Sequence, residues 1–246
     1  MSSAYLLVSH GSRDRRPEIA MHQLAKLVFN KLPNSEHLVG IAALEMSSQP
    51  LHEQIQQFAK SAFYNCGVSQ NENRLKIIPL FLLPGMHVMT DIPAEVALAQ
   101  QAIGEDIIIE LQPYLGSHPD LDKLLAKQIA TIKTEALILL AHGSRRPGSQ
   151  ETVEAIAASL EAVAAYWAGP PSLESRVKEL VAAGYREIAI LPYFLFAGGI
   201  TDAIAASIEE LKLQFSAVNF QLAKPLGASA ELAELIWDLT EIELGH

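Results

Sequence analysis

The sequence contains a single cysteine, Cys66, among 246 residues. One thiol excludes an internal disulfide and a metal site built from several cysteines of one chain, and it favours a reducing cytoplasm. Basic residues are also few, since 18 lysines and arginines stand against 28 acidic residues and the formal net charge is −10. General affinity for nucleic acid or for an anionic membrane is therefore not expected, because both depend on a basic surface.

Long hydrophobic runs are missing as well. The longest, such as Ile77–Met86, fall well short of the ~20 residues that a membrane-spanning helix needs. The N-terminus has no basic region, and Ser9 and His10 interrupt its short apolar stretch, so a signal peptide is not expected. With 50% hydrophobic and 19% charged residues, the chain has enough apolar surface to form a globular core.

The sequence contains an internal repeat. The motif HGSR occurs at His10–Arg13 and at His142–Arg145, each time directly after an apolar run. Further along, Ile77–Leu82 finds a counterpart in Ile190–Leu195, and each is followed by a glycine-containing loop. Two matches in the same order indicate a duplication.

The hydrophobic pattern predicts an α/β fold with two tandem halves. Apolar strand-like runs alternate with amphipathic helical segments, and the continuous runs indicate strands of parallel sheets covered by helices on both faces. We place the boundary within 131–135, giving halves 1–134 and 135–246. The predicted strands are Ala4–Ser9, Leu38–Leu44, Leu75–Leu83, Asp106–Leu111, Ala136–Ala141, Val163–Trp167, Glu187–Leu195 and Asn219–Ala223.

Three polar side chains follow the first three predicted strands. His10 comes directly after the first strand, Glu45 closes the second and His87 follows the third. Because the carboxyl ends of parallel strands meet at one edge of a sheet, we expect these residues to face one site. Two imidazoles and a carboxylate suit a divalent metal such as Fe²⁺ or Co²⁺ and also accept protons near neutral pH. From the residues alone, an equally good interpretation is that Glu45 caps a neighbouring helix and that His87 is a polar residue of a loop.

Longer motifs around these residues resemble those of a known family. They are LLVSHGSR at 6–13, PLFLLPGMHVMTDIP at 79–93, LLAHGSRRPGS at 139–149 and LPYFLFAGGI at 191–200. Together they resemble the class II tetrapyrrole chelatases, in particular the sirohydrochlorin cobaltochelatases and ferrochelatases.

The resemblance implies a lyase that inserts Co²⁺ or Fe²⁺ into sirohydrochlorin, in siroheme or cobalamin biosynthesis. It implies that His10 and His87 bind the metal and take the pyrrole protons, with Glu45 assisting. It also implies two flavodoxin-like halves facing each other across a cleft. The metal is a substrate, and no organic cofactor is expected.

The second half departs from the motif of the first. Aligning the copies places Ile200 opposite His87 and Trp167 opposite Glu45, so that only His142 remains of the three. We therefore expect one catalytic half, and a partner half that helps to hold the substrate.

The acidic groups of sirohydrochlorin need hydrogen-bond donors and cations. The arginines after each motif are candidates, although pairing with local carboxylates such as Asp14 or Glu18 is the alternative. The predicted substrate-binding residues are Ser12, Arg13, His142, Ser144 and Arg145. The histidines predicted to be solvated or in loops are His22, His37, His52, His118 and His246.

Two other functions stay open at this point. One is a carrier that binds a metal or a tetrapyrrole without turnover, which a duplication with one degenerate half also permits. The other is a hydrolase using Ser12 with His10, but the chain lacks the nucleophile-elbow pattern G-x-S-x-G and an obvious acid to orient the histidine.

Overall fold

The computed structural model describes residues 2–32, 38–63, 73–143 and 149–241. These residues form eight strands that alternate with eight α-helices. The strands are β1 (Ser2–Ser9), β2 (Leu38–Ala43), β3 (Asn73–Pro79), β4 (Ile107–Leu111), β5 (Ala136–Ala141), β6 (Ala162–Tyr166), β7 (Glu187–Pro192) and β8 (Asn219–Leu222). The helices are α1 (Arg15–Phe29), α2 (Leu51–Phe63), α3 (Ile92–Ile103), α4 (Leu121–Ile129), α5 (Ser149–Ser159), α6 (Leu173–Ala182), α7 (Gly199–Gln214) and α8 (Ala230–Glu241).

The strands form two parallel four-stranded sheets, which confirms the predicted fold class. Their orders are β2-β1-β3-β4 and β6-β5-β7-β8, so the second sheet repeats the topology of the first. In each sheet the chain moves from the first strand to one neighbour and then crosses to the other side. Such a switch in strand order leaves a crevice at the carboxyl ends of the strands, where ligands bind in open α/β sheets.

The central strands provide the core of each unit. Residues 4–8 of β1 are at most 5% exposed, and residues 138–141 of β5 are wholly buried. Both faces of these strands are apolar, because helices cover both sides of a parallel sheet.

The packed units divide the chain differently from the predicted halves. One unit comprises Met1–His118 together with Ala228–His246, and the other comprises Pro119–Gly227. A boundary after residue 134 separates the two sheets but groups α4 with the first sheet and α8 with the second, whereas the packed units group them the other way. The last helix of each sequence repeat thus belongs to the unit that contains the sheet of the other repeat.

Helix α8 is held to the first unit by an apolar face. Leu232, Ile236 and Leu239 are buried, and the helix packs against α1 and β3. The ring of Trp237 lies 5.8 Å from that of Tyr5, measured between centroids. These contacts explain why α8 belongs to the first unit. No local pattern in the sequence indicates this placement.

Helix α4 is held to the second unit by polar contacts as well as by its buried leucines. The Asp122 carboxylate accepts a 2.7 Å hydrogen bond from Ser159, and the Gln128 amide donates to the carbonyl of Lys224 at 2.6 Å. Leu125 is fully buried. Within the described residues, every helix is too short or too polar to cross a membrane.

Because α4 belongs to the second unit and α8 to the first, we expect each helix to stabilise the unit in which it packs. The chain has two tryptophans, with Trp237 in the first unit and Trp167 in the second, so single-tryptophan variants follow each unit separately by fluorescence in urea. Ile236→Ala should destabilise the unit that contains Trp237 by about 2–5 kcal/mol, because a buried side chain is truncated. Leu125→Ala should act on the unit that contains Trp167. Equal losses in the free energy of unfolding at both tryptophans would contradict this assignment.

Candidate active site

Glu45 is fixed beside His10 by an extension of the sheet ladder. Beyond the end of β2, the Leu44 N–H donates to the Ser9 carbonyl at 2.9 Å and the Glu45 N–H donates to the His10 carbonyl at 2.8 Å. The side chain of Gln54 contacts the outer edge of β2, accepting from the Ala43 N–H at 3.1 Å and donating to its carbonyl at 2.8 Å. The strand end is thus bound on both sides just before the carboxylate.

Gly11 permits this close approach. Its φ is +95°, in the region that favours glycine, and a Cβ at this position would lie 2.0 Å from the Glu45 carbonyl oxygen. The chain leaves the strand at His10, turns at Gly11 and packs directly against the backbone of Glu45. The glycine of the HGSR motif is therefore a steric requirement of the His10–Glu45 pairing.

Three side chains converge at this edge of the first sheet. The Oε2 of Glu45 lies 3.8 Å from His10 Nε2, and its Oε1 lies 3.9 Å from His87 Nε2. The two imidazoles meet edge to face, with centroids 4.9 Å apart and an interplanar angle of 82°. One ligand atom from each residue lies within 4.8 Å of the others, and this is the only such group within the described residues.

The three side chains are partly exposed to solvent, and an aromatic ring lies beside the two imidazoles. The side chains of His10 and Glu45 are 52% and 44% exposed, and that of His87 is 31% exposed. The Phe81 ring lies 6.4 Å from the His10 ring and 6.0 Å from the His87 ring. A partly buried aromatic ring thus stands beside both imidazoles while their ligand atoms stay accessible.

His87 begins a π-helical turn, His87–Asp91, that leads into α3. The Ile92 N–H donates to the His87 carbonyl, five residues back, in the wide spacing of a π-helix. Pro93 follows at the start of α3 and has no N–H to continue a regular helical ladder through this turn. Short π-helical segments are frequent at functional sites.

Asp91 orients His87. The Nδ1 of His87 lies 2.8 Å from the Asp91 Oδ2, which leaves the Nε2 to face Glu45. A carboxylate on one ring nitrogen fixes the tautomer and the orientation of a histidine whose other nitrogen binds a metal. Asp91 was not among the site residues predicted from the sequence, although its spacing of four residues from His87 was a usable signal.

The interpretation of Glu45 as a helix cap is not supported. Glu95, on α3, accepts from the His52 N–H at 2.7 Å and from its ring Nδ1 at 2.8 Å, at the start of α2. The Glu45 carboxylate faces the two imidazoles instead. The prediction that His52 is a solvated or loop residue was therefore wrong.

The predicted substrate-binding residues of the first motif lie near the start of α1. Ser12 is exposed, and its hydroxyl oxygen accepts from the Asp14 N–H at 3.0 Å. Arg13 is exposed, and no carboxylate among the described residues pairs with it. Instead Arg16 binds Asp14, and hydrogen bonds from its guanidinium and then from its N–H lower the pKa of Asp14 to about 2. Arg13 is thus available for an anionic ligand, whereas Arg16 is already paired.

The hydrolase reading finds no geometric support at this turn. Ser12 is hydrogen-bonded to the Asp14 backbone, and no hydrogen bond between Ser12 and His10 exists within the described part of the chain. His10 faces Glu45, and its Nδ1 makes only a long contact of 3.4 Å to the Gly11 carbonyl.

The second unit repeats the backbone of the site and its first histidine, His142, but not the other two side chains. The Ala168 N–H donates to the His142 carbonyl at 2.8 Å, in the same way that Glu45 pairs with His10. The counterpart of Glu45 is therefore Ala168 and not Trp167 as predicted, because the loop before α6 is one residue shorter than the loop before α2. The aligned counterpart of His87 is Ile200, in the first turn of α7.

The other predicted residues have varied surroundings. Ser144, Arg145, His37 and His246 lie outside the described residues. His22 is exposed, as expected, but His118 is buried, with its Nε2 3.8 Å from the carboxylate of Asp238.

This fold and this cluster define a chelatase-like α/β protein, in which two parallel-sheet units follow one another and one of them presents a group of side chains that could hold a metal ion. The profile of the CbiX family matches residues 4–132 and again residues 136–241. The chain belongs to the CbiX family, and the two matches coincide with the two sequence repeats. The family resemblance predicted from the motifs is confirmed.

Individual relatives span most of the chain. A sirohydrochlorin ferrochelatase of Priestia megaterium is 26% identical over 246 residues, covering 95% of this chain and 87% of that protein. A sirohydrochlorin cobaltochelatase of the same organism is 23% identical over 190 residues, covering 71% of this chain and 62% of that protein. The solved structure of SirB from Bacillus subtilis with Fe³⁺ has a TM-score of 0.77 at 20% identity, covering 98% of this chain and 94% of that one. This last likeness shows the shared fold.

The close approach at Gly11 predicts a difference between two matched alanine variants. Gly11→Ala and Gly143→Ala impose the same backbone strain, since φ is +95° and +90°. At Gly143, however, the nearest atom to the new Cβ is a side-chain atom of Tyr166 at 3.1 Å, whereas at Gly11 it is the backbone of Glu45. Gly11→Ala should therefore weaken Co²⁺ binding, measured by calorimetry, while Gly143→Ala should lower stability only. Equal metal affinity in both variants would refute the steric argument.

The orienting role of Asp91 predicts a second difference. Asp91→Ala should weaken Co²⁺ binding by about 10–100-fold, the usual loss when the carboxylate behind a histidine ligand is removed. Asp91→Asn should recover part of this loss, because its amide oxygen still accepts from Nδ1. The matched control is Glu95→Ala, which removes a carboxylate bound to His52 at the same 2.8 Å. A Glu95→Ala variant that loses as much affinity as Asp91→Ala would show that the effect is not specific to His87.

Proposed function

We propose that this protein inserts Co²⁺ or Fe²⁺ into sirohydrochlorin, as a step of siroheme or cobalamin biosynthesis. The observation that supports the proposal most strongly is the convergence of His10, Glu45 and His87 at the carboxyl ends of three adjacent strands. Two relatives named sirohydrochlorin ferrochelatase and sirohydrochlorin cobaltochelatase support metal insertion as the reaction.

The three side chains fit a divalent metal as a transient ligand set. Ligands bound at about 2.0–2.2 Å stand roughly 3–4 Å apart, so donors within 4.8 Å of one another close around an ion after small side-chain rotations. The exposure of the side chains permits these rotations. Three protein ligands leave coordination positions open, and the incoming pyrrole nitrogens need those positions.

Proton release completes the reaction. Insertion of M²⁺ into the macrocycle replaces two pyrrole N–H hydrogens, so that one metallated product and two protons are formed. His10 and His87 accept protons near neutral pH, and Glu45 lies within 4 Å of both Nε2 atoms, where it stabilises the imidazolium that forms. Asp91 holds His87 with its Nε2 directed at this site.

The same imidazoles cannot hold the metal and a proton on one nitrogen at once. Metal transfer and proton uptake are therefore coupled: as the ion passes from Nε2 to the macrocycle, that nitrogen becomes free to take a proton. This coupling is a physical reason for using histidine, whose neutral form binds metal and whose charged form does not.

The carboxylates at the edge of sirohydrochlorin need hydrogen-bond donors other than the three side chains of the cluster. We assign this role to Ser12 and Arg13, which are exposed close to the cluster in the chain, and to the corresponding residues Ser144 and Arg145 of the second motif. His142 occupies the position of His10, but the counterparts of Glu45 and His87 are Ala168 and Ile200, so we assign it to substrate binding. The proposal includes a monomeric, cytoplasmic protein that needs no organic cofactor.

Metallation of sirohydrochlorin tests the proposal directly. Absorbance is followed under anaerobic conditions with Co²⁺ and with Fe²⁺ for the unaltered protein and for His10→Ala, Glu45→Gln, His87→Ala and His142→Ala. The first three variants should lose about 10²–10⁴-fold in rate, the range expected when a group that transfers protons is removed. His142→Ala should keep most of the activity and raise KM.

Two outcomes would contradict the proposal. No acceleration over the uncatalysed reaction with either metal, despite tight binding of the macrocycle, would leave a carrier that binds without turnover. A loss in His142→Ala as large as that in His87→Ala would contradict the assignment of the chemistry to the first unit.

A further inference from the structure

Three exposed methionines stand within two residues of Glu45 or His87 in the sequence. Met46 directly follows Glu45, whereas Met86 and Met89 stand one residue before and two residues after His87. Their exposed fractions are 58%, 50% and 61%, and all three belong to the large apolar side chains that the first unit leaves in solvent. In contrast, Met21 lies in the core of the same unit at 2% exposure.

Met46 has an unfavourable backbone conformation. Its φ is 59°, in the left-handed region that L side chains rarely adopt and that glycine or asparagine would occupy with less strain. The strain follows from the tight pairing of Glu45 with His10, since the chain must turn immediately afterwards. An apolar, solvent-exposed residue is an unexpected choice at such a turn, which indicates a role for the side chain itself.

Met86 and Met89 stand on either side of His87 in the turn that leads into α3. Both are exposed, whereas Val88 between them is buried. A Cβ at Gly85, just before Met86, would meet no atom within 4 Å, so the space beside this residue is open.

We infer that Met46, Met86 and Met89 form a contact surface for the flat face of the tetrapyrrole, which rests on the proposed function. A conjugated macrocycle that must reach the metal ligands brings an apolar face against the surroundings of the cluster. Thioethers suit that contact because they are polarizable, flexible and attracted to π-systems. Flexible side chains also adapt to the ring as it changes shape on metallation, whereas a rigid surface would not.

The arrangement divides the recognition of the substrate between two chemistries. The methionines contact the ring, whereas Ser12 and Arg13 bind the carboxylates at its edge. The thioethers are not required for binding Co²⁺ or Fe²⁺, since imidazole and carboxylate suit these ions better than soft sulfur ligands do.

The test uses the full chain with metal-free sirohydrochlorin as the probe. The variants are Met46→Gln, Met86→Gln, Met89→Gln and their combination, in which length is kept and the apolar surface is lost, together with the three Met→Leu variants, in which it is retained. Each Met→Gln change should weaken macrocycle binding, measured by absorbance titration, by roughly twofold to tenfold, and the combination by more. Co²⁺ affinity should stay unchanged, and the Leu variants should bind nearly as well as the unaltered protein.

Leu98→Gln is the matched control, because Leu98 is an exposed residue on α3 of the same unit at 48% exposure. Macrocycle affinity that is unchanged in the triple Gln variant would overturn the inference and leave the proposed function intact. A parallel loss of Co²⁺ affinity would overturn it as well, since the methionines would then act on the cluster. Binding of Cu⁺ alone that disappears in the triple variant, without any change in macrocycle affinity, would show a thioether metal site instead. No binding of the macrocycle by the unaltered protein would refute the proposed function itself.

Discussion

The hydrogen bond from the Glu45 N–H to the His10 carbonyl is the constraint on which the site depends. It continues the β1–β2 ladder past the end of the strand and brings a carboxylate beside an imidazole. Gly11 permits it, and the strained turn at Met46 follows from it. Because a buried core fixes the strand ends, the sheet sets the positions of His10 and Glu45.

Much of the fold followed from local patterns. The continuous apolar runs of β1 and β5 and the repeated HGSR motifs identified parallel sheets and a duplication, and the carboxyl-edge rule placed His10, Glu45 and His87 together. Strand ends were less accurate: β3 was predicted to extend to residue 83 but ends at Pro79, and β7 was predicted to extend to residue 195 but ends at Pro192. In both cases apolar residues continue past the strand because they pack as a loop against the sheet edge, and hydrophobicity alone does not distinguish the two states.

Other features depend on tertiary packing and left no comparable local signal. The assignment of α4 and α8 is decided by which sheet their buried faces cover, which a sequence division after residue 134 could not capture. Trp167 was placed opposite Glu45 because helix starts were aligned, whereas the strand ladder shows that Ala168 is the counterpart. Asp91 contacts the ring of His87, and Gln54 contacts the edge of β2. Their importance is visible only in three dimensions.

The position of α8 in the chain has a consequence for synthesis. Residues 230–241 complete the apolar core of the first unit, yet the ribosome makes them after the whole of the second unit. Until they emerge, part of one face of the first sheet lacks the helix that covers it in the folded protein. The synthesis of this sheet is thus separated from that of its last covering helix by the whole of the second unit.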